Sequence, residues 1–261
     1  MASSLFSIGL SGLRASRAAL DLTAQNISNA GTEGYVRRSL RTSEVASVGS
    51  WLVPGDLTLS GVQIDGVTRN ADMFRQAEVR RTSSDSARAN EELAGFENIE
   101  SALEQSGVYP AMTAFEASLQ RLATNPIDPA LRAGALEDAR AVAHNFNLAA
   151  SSLDTAGDGL AFMAQAGADE VNTYAAELAR VNLQLTRARV GSSDQTMLLD
   201  QRDSLLQQIS SKVGISTAIS PDQSVTVRLG DSSGPLLVSA GTTQPLATTT
   251  AADGTIGFTL A

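Results

Sequence analysis

The chain has 261 residues, 43% hydrophobic but only 4% aromatic, a balance that suits close-packed helices better than a large globular core. It has no cysteine and one histidine, His144, which excludes disulfides, thiol nucleophiles and cysteine-ligated zinc and leaves a catalytic triad or a multi-histidine metal site almost nothing to be built from. A formal charge of -9 argues against a nucleic-acid partner, and no apolar run approaches a membrane span.

Residues 1–35 read as an assembly helix and its closing turn. Phe6, Leu10, Leu13, Arg17, Leu20, Ala24 and Ile27 follow at alternating steps of four and three, the seam of a helix built to lie against another helix. Arg17 is its one polar position. At 1.5 Å per residue, Ser4 to Ala30 would make a rod of roughly 40 Å. A lone amphipathic helix is marginal in water, so this segment is expected to be mobile until it meets a partner. It runs into a specific turn, Asn26-Ile-Ser-Asn29-Ala-Gly-Thr32-Glu-Gly34-Tyr35. Five arginines against two carboxylates in residues 1–41 also suit a mitochondrial transit peptide, but that reading leaves the turn unexplained. A secretory signal fits worse, because no basic residue precedes Ile8 and Gly9, Ser11 and Gly12 interrupt the apolar region.

Residues 36–68 read as an extended connector with breaks at Gly49, Pro54 and Gly55, a short strand at Gly61–Ile64 and a turn at Asp65-Gly66. Residues 69–213 read as a helical rod domain. A long helix spans about Arg69 to Gln105, polar around Arg80–Ser86, with apolar positions at Phe96, Ile99 and Leu103. After a break at Gly107–Pro110, Met112, Phe115, Leu119 and Leu122 mark a shorter helix that Pro126 ends at Asn125. Asp128 caps the next, with Pro129 at its first position, and Ala135, Ala139, Val142, Phe146, Ala149 and Leu153 keep coiled-coil spacing. Gly157, Gly159 and Gly167 each weaken helix by about 1 kcal/mol, which predicts a kink or break there. Val171, Tyr174, Leu178, Val181 and Leu185 resume the pattern to Gly191. Ser192 with Gln195 makes a capping box for a helix with Leu198, Leu205 and Ile209 buried, Lys212 in its last turn and Gly214 as a left-handed cap.

Residues 214–261 read as the start of an antiparallel β domain. Ile215/Thr217/Ile219 and Val225/Val227/Leu229 form a hairpin around Pro221-Asp222-Gln223, with further strands at Leu236–Val238 and Ile256/Phe258/Leu260. The fold class is therefore mainly α, with long coiled-coil-like helices followed by a smaller β part that stops inside a strand. A sheet ended mid-strand and a seam helix without a mate suggest the front part of something longer.

The candidates for chemistry each have a simpler reading. Asp200 and Asp203, flanking Arg202, read as a solvated ion-pair face. Glu97, Glu100 and Glu104 read as the wet side of a helix whose dry side is Phe96, Ile99 and Leu103. Asp154 and Asp158-Gly159 lack the ligand pattern of a calcium loop. His144 has no orienting partner and reads as a surface or interface residue. No catalytic, cofactor or metal site emerges.

The opening motif, Asn-Ile-Ser-Asn-Ala-x-Thr-x-Gly-Tyr after a seam helix, resembles the N-terminal signature of bacterial flagellar axial proteins. Gly61-Val-x-Ile-x-x-Val67-x-Arg69-x-x-Asp72-x-Phe74 is similar to the segment that follows it in those proteins. Leu122-Ala-Thr-Asn-Pro126-x-Asp128-Pro-x-x-Arg132 and Leu199-Asp-Gln-Arg202-Asp203-x-Leu205 resemble the hook-associated junction family called FlgK. Where the family has Asn-Thr-Pro-Gly-Tyr, this chain has Gly31-Thr32-Glu33-Gly34-Tyr35, and residues 1–261 hold no stretch like the family's C-terminal helix. The resemblance implies a structural adaptor at the junction of hook and filament, outside the cell, exported unfolded through the flagellar type III pathway without a cleavable signal. Its partners would be the hook protein, the second junction protein or filament subunits, further copies of itself in a ring, and an export chaperone bound through the C-terminal region. Assembly would fall to Leu10, Leu13, Leu20 and Ile27 in the seam and to Asn26, Asn29, Gly34 and Tyr35 in the turn. Alternatives are another axial or flagellin-like subunit displayed at the cell surface, or a surface- or glycan-binding module on a helical stalk. After Gly214 only Phe258 offers an aromatic face for a sugar, and a carboxylate hydrolase is the weakest reading.

Overall fold

The computed structural model describes residues 2–32, 34–48 and 57–260, with side chains from Leu5 onward except those of 46–48 and 57–60. Glu33, the breaks at Gly49, Pro54 and Gly55, and Ala261 lie outside the described residues. In chain order the elements are α1 (Ala2–Ser28), β1 (Arg38–Val48), β2 (Leu57–Arg69), α2 (Met73–Gln105), α3 (Val108–Thr124), α4 (Pro129–Leu185), α5 (Ser193–Ser210), β3 (Ile215–Ile219), β4 (Val225–Leu229), β5 (Leu236–Ser239), β6 (Thr242–Thr243), β7 (Leu246–Thr250) and β8 (Ile256–Leu260). The chain is mainly helical with antiparallel sheets, as its periodicity predicts. It divides into two compact units, residues 1–84 with 173–244 and residues 85–172 with 245–261.

The local signals place most helix ends. Asp72 Oδ1 accepts from the backbone N–H groups of Phe74 and Arg75 at 3.0 and 3.2 Å, so α2 begins at Met73 rather than Arg69. Asp128 Oδ1 accepts from Ala130 N at 2.7 Å ahead of Pro129, and Ser192 Oγ from Gln195 N at 3.1 Å. The Gln195 side chain reaches back to accept from Gly191 N at 2.8 Å. Pro110 falls in the first turn of α3, where a missing N–H leaves no partner wanting.

Three expectations are corrected. The predicted break at 157–167 does not occur: α4 runs 57 residues as one helix. Three glycine penalties of about 1 kcal/mol each are spread along a helix that propagates cooperatively once nucleated. Residues 36–68 are more than a connector, because β1 and β2 pair antiparallel from Arg38↔Arg69 to Val48↔Leu57, with two register irregularities. Their polar legs carry little alternation, so only the pairing reveals the hairpin. Gly214 is not a left-handed cap; Lys212 N and Val213 N both donate to Ile209 O at 3.0 Å and close α5 before it.

In the first unit β3-β4-β5-β6 form one sheet, all neighbours antiparallel where paired. Leu178, Val181 and Leu185 of α4, Leu206 and Ile209 of α5, and Val225, Val227, Leu237 and Val238 of the sheet are nearly fully buried and make its core. Asn182 is buried among them without cost, since Nδ2 donates to Val225 O and Ala240 O at 2.8 and 2.9 Å and Oδ1 accepts from Val225 N at 2.9 Å. Against the β1–β2 hairpin lies α1, with Ile8, Ser11, Ala15, Ala18 and Leu22 on its less exposed face. Gly61 has φ +103, and a Cβ there would sit 2.3 Å from Ser11 Oγ, so only glycine lets helix and strand approach this closely.

In the second unit the helices bury small residues, Ser106, Ser118, Ala135 and Ala149, and Asn145 of α4 donates to Gly107 O between α2 and α3 at 3.0 Å. Strands β7 and β8 form a separate antiparallel hairpin. Asn172 anchors it, donating to Leu246 O at 2.8 Å and accepting from Leu246 N at 2.7 Å, and Gln165 accepts from the Thr248 hydroxyl. Strands β6 and β7 were not legible in the Thr-rich sequence after Gly241.

Candidate assembly site

Helix α1 carries two apolar stripes rather than one. The seam read from sequence points away from the hairpin: Leu10 is 37% exposed, Leu13 68%, Leu20 70% and Ile27 72%. The inward stripe was missed because three of its members, Ser11, Ala15 and Ala18, are too small to stand out in a hydrophobic pattern.

The turn after α1 is organised by Asn26. Its Oδ1 accepts from Arg38 N and from the Tyr35 hydroxyl, both at 2.9 Å, while Nδ2 donates to Arg38 O at 2.8 Å. The Arg38 guanidinium lies 5.3 Å from the centre of the Tyr35 ring. Asn29 closes the helix end by donating to Gln25 O at 2.9 Å, and its Oδ1 accepts from the Thr32 hydroxyl at 3.4 Å. Gly34 sits at φ +77 with open space where a Cβ would be. Of the four residues expected in the turn, Asn26 and Tyr35 touch, Asn29 works one helical turn away, and Gly34 supplies backbone geometry.

Beneath the turn lies a cluster that the sequence reading assigned to solvent. Arg38 and Arg69 stand opposite each other at the base of the hairpin, an arrangement that repels unless counter-charge is shared. Helix α5 supplies that charge. Arg38 Nη2 donates to Asp200 Oδ2 at 2.5 Å, and Arg69 Nη2 donates to Asp203 Oδ2 at 2.8 Å while lying 2.8 Å from Asp200 Oδ1. Arg202 donates through Nε and Nη2 to Asp203 Oδ1 at 3.0 and 2.8 Å and through Nη1 to Gln223 O at 2.8 Å. Gln76 Nε2 adds a bond to Asp203 Oδ2 at 3.1 Å. The Asp203 and Asp200 side chains are 9% and 18% exposed, which corrects the expectation of a solvated face. The reason is the opposite side of α5: Leu205, Leu206 and Ile209 are drawn into the core, and the hairpin covers the aspartates. Arg38 Nε, Arg69 Nε and Asp200 Oδ1 are buried without a hydrogen bond, so Asp200 Oδ1 meets Arg69 as a charge contact only. Burial opposes ionisation of Asp203, but Arg202 and Arg69 outweigh it and hold its carboxyl below the usual aspartate range. The signal in sequence was present in part: apolar residues flank the aspartates on both sides, leaving little of α5 for water.

Val67 N donates to Gly191 O at 3.0 Å, docking the hairpin on the loop between α4 and α5. Gly66 has φ +148, and a Cβ there would lie 2.7 Å from Gly191 O. Next to the cluster, in the same unit, is an open groove of about 880 Å³ between Tyr35, α2 and α5, lined by Arg37, Arg75, Arg80 and Gln76 among others.

The other candidates stay apart. Asp154, Asp158 and His144 are exposed on α4, and the His144 side chain makes no hydrogen bond among the described residues. No group of three potential metal ligands occurs among the described residues, and no described helix is long and apolar enough to cross a membrane. Phe96, Ile99 and Leu103 are 69%, 38% and 48% exposed, so the expected dry side of α2 is uncovered. What the arrangement does chemically is hold: the helix, its turn and the hairpin are tied to α5 by charge and to the α4–α5 loop by a backbone bond.

The family model of the helical domain of the flagellar hook-associated protein FlgK matches residues 93–260. Over 249 residues the chain is 29% identical to flagellar hook-associated protein 1 of Escherichia coli (strain K12), covering 94% of this chain and 45% of that protein. The protein of the same name from Salmonella typhimurium is 30% identical, with 94% and 44% covered. That of Bacillus subtilis (strain 168) is 28% identical over 211 residues, with 78% and 41% covered. The chain thus spans less than half the length of the curated relatives it matches. Its fold is similar to the flagellar hook junction protein FlgK from Burkholderia pseudomallei, with a TM-score of 0.58 and 22% identity over 71% of this chain and 33% of that one.

Proposed function

This chain belongs to the FlgK family of flagellar hook-associated proteins, and from that membership we propose that it is a structural subunit joining the flagellar hook to the filament. The observation that carries the reading is the likeness to hook-associated protein 1 over 94% of the chain, which extends well beyond the helical domain matched at residues 93–260. The role is mechanical rather than catalytic and lies outside the cell, reached by unfolded export through the flagellar type III pathway with a chaperone engaged through the family's C-terminal region.

The outward stripe of α1, Leu10, Leu13, Leu20 and Ile27, is the surface that packs in the assembled structure. Among the described side chains of α1 only Leu22 is buried, so the contact with the hairpin is thin and the helix loosens readily in the unassembled subunit. Ordering it on assembly is offset by burying the stripe at that moment. Asn26, Asn29, Gly34 and Tyr35 set the angle at which the helix leaves the hairpin. The neighbours are the hook protein on one side, the second junction protein or filament subunits on the other, and further copies of the chain around the ring, through heterologous contacts.

The test is deletion of the gene in its host, followed by electron microscopy and assay of the medium. Bare hooks with flagellin shed into the medium are expected; normal filaments would overturn the reading.

A further inference from the structure

The groove beside Tyr35 gathers three arginines, Arg37, Arg75 and Arg80. Arg80 is only 8% exposed, yet its guanidinium, with five N–H donors, finds one acceptor among the described residues, the Thr217 hydroxyl at 3.4 Å. Burial pushes its pKa down, and although Asp203 opposes this, Arg202 adds to it. Asp203 is already committed, its two oxygens taken by Arg69, Gln76 and Arg202. Asp72 caps α2 and pairs with Arg75 at 3.5 Å. Arg37, exposed at the groove, makes no ion pair among the described residues. A buried cation with few partners is costly, so a further carboxylate brought to Arg80 is favoured.

Charge is also divided along the chain. The first unit has 15 Lys and Arg against 13 Asp and Glu, while the second has 4 against 15. A chain with a net charge of -9 thus keeps a faintly basic unit and a strongly acidic one. On α2, within the second unit, Glu97, Glu100 and Glu104 share one face, are exposed and form no ion pair among the described residues. Exposed Phe96 and Leu103 stand on the same helix, as exposed Val79 lines the groove beside its arginines.

We infer that the groove formed by Arg37, Arg75 and Arg80 receives the Glu97/Glu100/Glu104 face of α2 from a second copy of this chain. The inference rests on the assembly role above and names the surface that carries self-association. Groove and stripe are different surfaces of one chain, so the contact is heterologous and repeats from copy to copy. Rim pairs alone add little affinity, but complementary charge sets register and partner choice, and a carboxylate reaching Arg80 meets a largely buried cation.

The test is charge reversal in the full-length protein in its host. Arg37→Glu with Arg75→Glu, and separately Glu97→Arg with Glu100→Arg and Glu104→Arg, should each cut the fraction of cells with filaments about tenfold. Combining both sets in one chain should restore it to within about twofold of the parent, because every copy then presents the reversed pair. The natural chain has no cysteine in residues 1–261, so Arg75→Cys with Glu100→Cys should give a disulfide-linked ladder in isolated hook–filament particles, and either change alone should not. The ladder decides the matter where a charge variant unfolds early. No ladder, or crosslinking of the Arg75→Cys thiol to a different flagellar protein, would overturn the inference. Bare hooks on gene deletion, with charge-reversed chains assembling normally, would sink this contact while leaving the junction role intact; normal filaments on deletion would sink both.

Discussion

Asn26 of α1 holds both backbone polar groups of Arg38, accepting from its N–H at 2.9 Å and donating to its carbonyl at 2.8 Å. Arg38 is the first residue of β1. The same two-point grip recurs where Asn172 holds Leu246, the first residue of β7, and where Asn182 holds Val225, the first residue of β4. In each case a helical asparagine stands in for a neighbouring strand, satisfying a donor and an acceptor that would otherwise be left at the sheet margin. The three grips differ in burial, which sets how much each is worth.

Asn182→Ala leaves fully buried polar groups unpaired and should cost about 3 kcal/mol, whereas Asn26→Ala, half-buried, should cost about 1 kcal/mol. Urea unfolding of the two variants checks the order. Equal losses would mean that burial does not govern the grip.

The charge cluster predicts an acid-sensitive tether. Asp203 has a folded pKa below its ordinary value near 3.8, so its contribution is complete above that value and is lost as pH falls through the lower, folded one. Stability followed from pH 6 to pH 2 should fall in the acid limb, and Asp203→Asn should flatten that limb. The same substitution should cost about 3 kcal/mol at neutral pH, because it leaves Arg202 without a buried counter-charge and Arg69 with Asp200 alone.

Gly66→Ala should undock the hairpin. A Cβ there lies 2.7 Å from the Gly191 carbonyl and the backbone sits at φ +148, which together should cost about 2 kcal/mol. Faster amide exchange at Val67, whose N–H donates to Gly191 O, is the readout.

The two faces of α1 should separate stability from assembly. Leu13→Asp, Leu20→Asp or Ile27→Asp, on the exposed stripe, should change unfolding by less than about 0.5 kcal/mol yet abolish swimming. Leu22→Ala, on the buried stripe, should lower stability by about 2 kcal/mol. Isolated chains should show faster exchange in α1 than in α5; equal protection would count against ordering on assembly.

What the sequence determined by itself was what local chemistry encodes. Caps at Asp128 and Ser192, the stop before Pro126, and strands β3, β4, β5 and β8 all rest on residues within a turn or two of each other, so composition and period suffice. The residues of the turn were legible as a motif, but not that Asn26 would grip Arg38. Tertiary structure alone decided which stripe of α1 faces inward, since both satisfy a helical period and the inner one is made of small residues. It also decided the fate of Asp200 and Asp203. Two carboxylates beside an arginine on a helix are ordinarily solvated, but here Arg38 and Arg69 arrive from 162 and 134 residues away to cover them. No periodicity encodes a pairing at that separation; it is set when the hairpin closes over α5 and removes the water that would have screened the charges.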